Sequence, residues 1–297
     1  MTGKQIVNIA DLDCIYLTYD EPRKEQNWIK IQNMVPWAKR VDGIKGSDAA
    51  HKAAAAASDT DRFILIDGDN IPEADFFNLQ LQLDNNNNDC VFRWKARNII
   101  NGLTYGNGGM SCWTRKFINN MRTHEASDGR NETLVEFCFD PKYWAMRGCY
   151  STTYPNQSAF HAWRAGFREG VKMCLDRGAK PTLSEFEKRI HSRNYDHLCI
   201  WQSVGTDVEH GQDAIDGARA GTYYTMLTGW DYKLVQNFDE LKNMWEIITQ
   251  ENANETISCA LRSRLGLPIV DMAPDESRFF KHHYLKQYSN ADIMERE

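Results

Sequence analysis

The chain has 297 residues, 42% hydrophobic and 26% charged, a globular composition long enough for one large domain or two small ones around a sizeable core. Thirty-five Lys and Arg against 41 Asp and Glu give a net charge of −6, which argues against tight nonspecific nucleic-acid binding and allows only a local basic groove. No apolar run approaches the ~20 residues needed to span a bilayer, and Met1-Thr2-Gly3-Lys4-Gln5 lacks the apolar stretch of a secretory leader, so the expected location is the cytoplasm.

Residues 5 to 19 read as a first strand region, strongest from Asp13 to Tyr19. It ends in the polar turn Tyr19-Asp20-Glu21-Pro22-Arg23, with Pro22 suited to a first helical position. A tyrosine there can stack on a nucleobase, and a carboxylate can accept a hydrogen bond from a base N–H or a ribose hydroxyl. Glu25 to Val35 follows as a helix with Trp28, Ile31 and Val35 on one face, stopped by Pro36. Val41 to Ile44 is the second strand. A helix capped by Ser47 or Asp48 then runs through the alanines to Ser58. Lys45 precedes it, and His51 and Lys52 lie in its first turn, where cations near a helix N-terminus suit a diphosphate; a solvated surface lysine is the plain alternative for Lys52.

Phe63 to Ile66, four apolar residues in a row, read as a buried strand of a parallel sheet. That strand stops at Asp67-Gly68-Asp69, at the carboxyl edge where open α/β sheets bind ligands. Two carboxylates this close repel unless a cation lies between them, and oxygen-only ligands suit Mg²⁺ or Mn²⁺. Gly68 lets the backbone turn and approach a ligand. An ordinary acidic turn is the competing explanation.

Farther on, Asn85 to Asn88 is a polar loop tip and Cys90 to Trp94 returns to strand. Gly106-Asn107-Gly108-Gly109 demands an unusual backbone, with Trp94, Arg97, Asn98 and Tyr105 as stacking and hydrogen-bonding neighbours; a hairpin about a glycine turn is the alternative. Trp113 to Met121 reads as a helix. Glu136 is an acid inside the apolar stretch Thr133 to Asp140, where a carboxylate needs a partner or a task. Ser158 to Cys174 is an amphipathic helix with Phe160, Trp163, Phe167, Val171 and Cys174 at spacings of three and four. Its second stripe, Arg164, Arg168 and Lys172, is either solvated or faces a phosphate. Asp213 to Tyr224 carries Gly217 and Gly221 in a small-residue helix or turn, and Asn237 to Asn252 and Glu255 to Leu265 read as helices before a polar, aromatic tail. The eight scattered cysteines form no Cys-x-x-Cys pair and read as buried reduced thiols.

The succession from Val41 to Asp69, strand, capped helix, apolar strand and Asp-Gly-Asp, resembles the nucleotide-sugar glycosyltransferases of the GT-A fold. The resemblance implies an α/β fold with a Rossmann-like mixed sheet flanked by helices: a catalytic domain over 1–225, with a donor-binding half 1–110 and an acceptor half 111–225, then a helical C-terminal extension over 226–297. It implies that Asp67 and Asp69 hold Mn²⁺ or Mg²⁺ on the diphosphate of a nucleoside-diphosphate sugar, a UDP-sugar by preference. Tyr19, Asp20 and Glu21 would receive the nucleoside, with Lys45, His51, Lys52, Gly68 and Arg164 as further donor contacts. Trp94, Arg97, Asn98, Tyr105, Asn107, Gly108 and Gly109 would face the acceptor. Asp69 and Glu136 are the expected catalytic residues, Glu136 as base with Asp140 second, although Val135-Glu136 stands where the family has paired acids.

Tyr19-Asp20-Glu21-Pro22, Pro36-Trp37-Ala38-Lys39-Arg40, Tyr105-Gly106-Asn107-Gly108-Gly109 and Ala162 to Gly170 are similar to glycosyltransferases of tailed bacteriophages, some of which modify 5-hydroxymethylpyrimidines in DNA. That likeness implies a DNA acceptor, a flipped base stacked on Trp94 and Tyr105, and the cytoplasm of an infected bacterium. Two other readings stay open. One is a glycan, protein or lipid acceptor. The other is a nucleotidyltransferase, against which the acidic, glycine-free turn after the first strand argues. A non-catalytic binding module is a third, against which the intact acidic pair argues.

Overall fold

The computed structural model describes residues 4–121 and 142–285. In chain order the elements are β1 (Gln5–Asn8), β2 (Asp13–Thr18), α1 (Lys24–Met34), β3 (Lys39–Asp42), α2 (Ser47–Ala57), β4 (Arg62–Asp67), β5 (Asn70–Pro72), β6 (Gln80–Leu83), β7 (Val91–Asn98), β8 (Thr104–Thr114) and α3 (Arg115–Asn120). After them come β9 (Tyr143–Thr153), α4 (Ala159–Met173), α5 (Phe186–Arg189), α6 (Ser192–Trp201), α7 (Gly211–Leu227), α8 (Phe238–Gln250), α9 (Asn254–Leu265) and α10 (Pro274–His283).

The class is α/β. A seven-stranded mixed sheet runs β3-β2-β4-β8-β7-β9-β5, and β1 and β6 form a separate antiparallel pair. β2 lies parallel to β3 and β4, while β8 runs antiparallel to both β4 and β7. The apolar run of β4 is continuous because both of its faces are covered. Phe63 and Leu65 join Ala54, Ala55 and Ile118 of the helices on one side. Ile64 and Ile66 join Ile31 and Val35 beside α1 on the other.

The first strand region is two strands, broken by a 3₁₀ turn at Ile9–Asp11. The hairpin turn between β7 and β8 lies at Ile99–Leu103, where Gly102 has φ +75°, and the later glycines fall inside β8. No expectation covered β9, which pairs with both β7 and β5.

From α4 onward the described chain is helical, and one hydrophobic cluster runs from Ala162 to Ile269. A boundary at 225/226 falls at the end of α7, inside this cluster. α4 and α7 meet backbone to backbone: a Cβ on Gly166 would stand 1.9 Å from the Ala214 carbonyl oxygen, and one on Gly217 2.1 Å from that of Trp163. Gly170 and Gly221 repeat the contact one turn on, so glycine is what allows this crossing. α10 docks on the body through Lys281, which pairs with the buried Asp207 at 2.6 Å, and through Ser277, whose hydroxyl donates to the same carboxylate at 2.9 Å.

Cys14, Cys90, Cys112, Cys149 and Cys174 are buried free thiols, as expected, whereas Cys199 is half-buried and Cys259 is exposed on α9, and Cys138 lies outside the described residues. Among the described residues no helix is long and apolar enough to cross a membrane.

Candidate active site

Parallel pairing aligns the carboxyl ends of three strands. Leu17 stands opposite Asp67, and Thr18 opposite Asp42, so the turn after β2, the loop after β3 and Asp67-Gly68-Asp69 share one sheet edge. The Asp-Gly-Asp turn is held from several sides. Tyr16 Oη and Asn27 Nδ2 both donate to the Gly68 carbonyl, at 2.7 and 3.1 Å. The Tyr154 amide donates to the Asp69 carbonyl at 2.7 Å, and Thr153 Oγ1 to Asp69 Oδ2 at 3.1 Å.

A third carboxylate joins the pair. Glu21 folds back to accept from the Tyr19 amide at 2.8 Å and lies flat against Gly68, where a Cβ would stand 2.5 Å from its Cδ. Gly109, at φ +72°, closes the opposite side: a Cβ there would be 3.1 Å from Asp67 Oδ2. Burial, then the neighbouring Asp69 and Glu21 charges, push Asp67 up to about 8. Burial also raises Asp69, against Thr153 and the more distant Arg164 and Arg168. Glu21 is raised by burial, with Asp69 and Asp20 adding to it against two backbone hydrogen bonds. Three converging carboxylates that all resist ionisation form a site short of positive charge.

The donor set is hard oxygen, which fits Mg²⁺ or Mn²⁺. Among the described residues no group of three or more His, Cys, Asp and Glu is placed so that it could hold a metal ion, so any ion here would rest on Asp67 and Asp69 alone. A two-carboxylate site suits an ion that keeps positions for water and phosphate oxygens.

Asp20 behaves oppositely. Burial works to raise it, but His161 and Arg164 hold it well below the usual carboxylate range. Arg164 donates through Nη1 and Nη2 at 2.8 and 3.3 Å, and His161 Nε2 stands 3.7 Å away. The Arg164 guanidinium also lies over the Phe238 ring at 4.2 Å, with that of Arg168 at 5.3 Å. Of the α4 basic stripe, Arg164 therefore holds Asp20 and, with Arg168, acts on Asp69 only from a distance, while Lys172 pairs with Glu169. Asp20, expected at the nucleoside, ties the first turn to α4.

The remaining candidates are distributed as follows. Tyr19 is 41% exposed at the edge. Lys45 is exposed, and Lys52 pairs with Asp48 at 2.6 Å. His51 Nδ1 lies 2.8 Å from the Ser47 carbonyl oxygen, with its ring beside Trp113. Trp94 is fully buried, edge-on to Phe76 at 4.8 Å, and lies in the core rather than on an open acceptor surface. Asn98 is buried too, its Oδ1 accepting from the Ile100 amide at 2.9 Å to shape the hairpin turn. Arg97 is exposed. Tyr105 donates to Glu169 Oε2 at 2.5 Å. Asn107 and Gly108 lie within β8. Glu136 and Asp140 lie outside the described residues.

Sequence reasoning missed Tyr16, Asn27, Thr153 and Tyr154. Asn27 left a signal: it sits four residues before Ile31 on the buried face of α1, a polar side chain at a core position. The others left none, because strand pairing alone brings them to the turn.

No protein-family model, no curated protein and no solved structure matches the chain.

Proposed function

We propose that the chain is a metal-dependent glycosyltransferase of the GT-A type, moving a sugar from a nucleoside-diphosphate sugar to a hydroxyl group. The observation that carries this reading is the convergence of Asp67, Asp69 and Glu21, cation-poor, at the carboxyl edge of the parallel strands β2 and β4. Asp67 and Asp69 would hold Mn²⁺ or Mg²⁺, which neutralises charge on the departing diphosphate. The exposed Tyr19 ring offers a stacking face for the base, a UDP-sugar being the preferred donor. Arg164 and Arg168, oriented on Phe238, add positive charge on the α4 side. The acceptor base is assigned to Glu136 from its place after the glycine segment.

For the acceptor, the four stretches similar to phage transferases favour a 5-hydroxymethylpyrimidine in DNA. With a net charge of −6, such contact is confined to a local surface. The test is incubation with Mn²⁺, a panel of UDP-sugars, and DNA with or without 5-hydroxymethylpyrimidines, followed by nucleoside mass analysis. The expected result is a sugar mass on the hydroxymethylated nucleoside alone, lost in Asp69→Ala. UDP release without DNA modification moves the acceptor to a glycan, protein or lipid. Release of sugar 1-phosphate in place of UDP supports nucleotidyl transfer. No metal-dependent turnover of any donor overturns the proposal.

A further inference from the structure

The glycine segment of β8 is an excursion from its ladder. Trp94 pairs with Met110 and Ala96 with Tyr105, so two steps along β7 face five along β8, which carries three extra residues between Tyr105 and Met110. Bulges of this kind bend a strand and leave residues without ladder partners, and they recur beside active sites. The far end of this one, Gly109, is the residue that closes on Asp67.

The near end is anchored by side chains. Tyr105 Oη donates to Glu169 Oε2 at 2.5 Å and accepts from Trp201 Nε1 at 2.6 Å. The His197 ring lies against the Tyr105 ring at 4.6 Å. Glu169 is in turn ion-paired with Lys172. Burial works to raise Glu169, but Lys172, helped by Tyr105 and Arg168, keeps it ionised below the usual range. Burial and the Glu169 charge keep the Tyr105 phenol protonated, and so a donor. Both hydrogen-bonding positions of the hydroxyl are filled, one from α4 and one from α6, and a charged acceptor makes the Tyr105–Glu169 bond a strong one.

We propose that Glu169, acting through Tyr105, is a positioning residue for the carboxylate site: it pins the start of the bulge so that Gly109 is held against Asp67. The inference rests on reading Asp67 and Asp69 as the metal pair. Glu169 touches neither carboxylate nor substrate in this account; its effect travels along the backbone from Tyr105 to Gly109. Lys172 neutralises its charge, and the fixed tyrosine limits the conformations open to a glycine-rich segment, whose freedom is otherwise large.

The test compares Tyr105→Phe, Glu169→Ala and Glu169→Gln with the wild type by hydrogen exchange and Mn²⁺ titration. Amides 106–110 should exchange about tenfold faster in Tyr105→Phe and Glu169→Ala, and Mn²⁺ affinity should fall about tenfold, as for supporting residues behind metal ligands. Glu169→Gln, whose amide oxygen still accepts from Tyr105, should restore both to near wild type. Amides of β4 should be unchanged throughout. If Glu169→Ala does not fold, Tyr105→Phe against Glu169→Gln carries the comparison. Unchanged exchange at 106–110 in Tyr105→Phe overturns the inference, as does a Gln variant no better than Ala. If the wild type binds no Mn²⁺, the reading of Asp67 and Asp69 fails, and the exchange measurements still decide whether Glu169 pins the bulge.

Discussion

Replacing Asp67 by Asn should stabilise the metal-free protein, and increasingly so as pH rises. Burial and its acidic neighbours push Asp67 up to about 8, against about 3.9 for an unfolded aspartate. A carboxyl raised on folding costs stability above its unfolded value, because the unfolded chain ionises freely while the native site resists. The cost grows from about pH 4 and levels off above about pH 8. A shift of this size corresponds to an upper bound of about 6 kcal/mol. Asp67 is only partly shielded from solvent, and about 2 kcal/mol is the reasonable expectation at pH 8. For a chain of this length that is about 3 °C in Tm. The assay is thermal unfolding of both proteins from pH 5 to 9, in EDTA and in Mn²⁺. In EDTA the Asn variant should melt higher, by a margin that widens to pH 8. In Mn²⁺ at about a hundredfold excess over Kd the wild type should gain about 2.7 kcal/mol and overtake it. An Asn variant that melts lower than the wild type at pH 8 in EDTA would refute the account of a cation-poor carboxylate cluster.

The crossing of α4 and α7 predicts that Gly217→Ala, whose methyl would meet the Trp163 carbonyl oxygen at 2.1 Å, costs about 3 kcal/mol or more. Gly229→Ala, with nothing within 4 Å of its Cβ, should leave Tm nearly unchanged in the same unfolding experiment. Asp20 is held below its usual range by His161 and Arg164, so its contribution is present above about pH 4 and fades on further acidification. Asp20→Asn should therefore lose about 1 kcal/mol at pH 7, part of it screened by solvent, with the difference from wild type shrinking below pH 4 in a pH series of denaturant melts. Tyr16→Phe removes one of two donors to the Gly68 carbonyl; it should cost about 1 kcal/mol and weaken Mn²⁺ binding by titration, with Asn27 retaining part of the turn.

Local pattern carried the reading of the chain furthest where one element decides its own fate. The apolar run Phe63–Ile66 followed by two acids could be read as a buried strand ending at a sheet edge, and it is β4. The helix of 47–57 forms where its alanine run predicts, although its N-cap is Gly46 without a side-chain cap rather than Ser47 or Asp48, while the start of α4 at Ser158, its spacing and the stop at Gly266, at φ +66°, follow from capping, periodicity and the left-handed C-cap. Trp94 and Asn98 show the limit. As residue types they suit a binding surface, yet the burial of one and the turn geometry of the other tie them to the fold.

The strand that leads into Asp67-Gly68-Asp69, the helix before it and the motif itself were determined by the sequence alone, since periodicity and glycine act within a few residues. Tertiary structure decided what surrounds the motif. Glu21 reaches Gly68 because β2 and β4 pair in parallel, and Arg164 reaches Asp20 across 144 positions because α4 packs beside the first turn. Gly109 meets Asp67 because β8 bulges between Tyr105 and Met110. These contacts depend on register and on the close approach of distant backbones, and the free energy that selects them comes from burying the whole core rather than from any local run of residues.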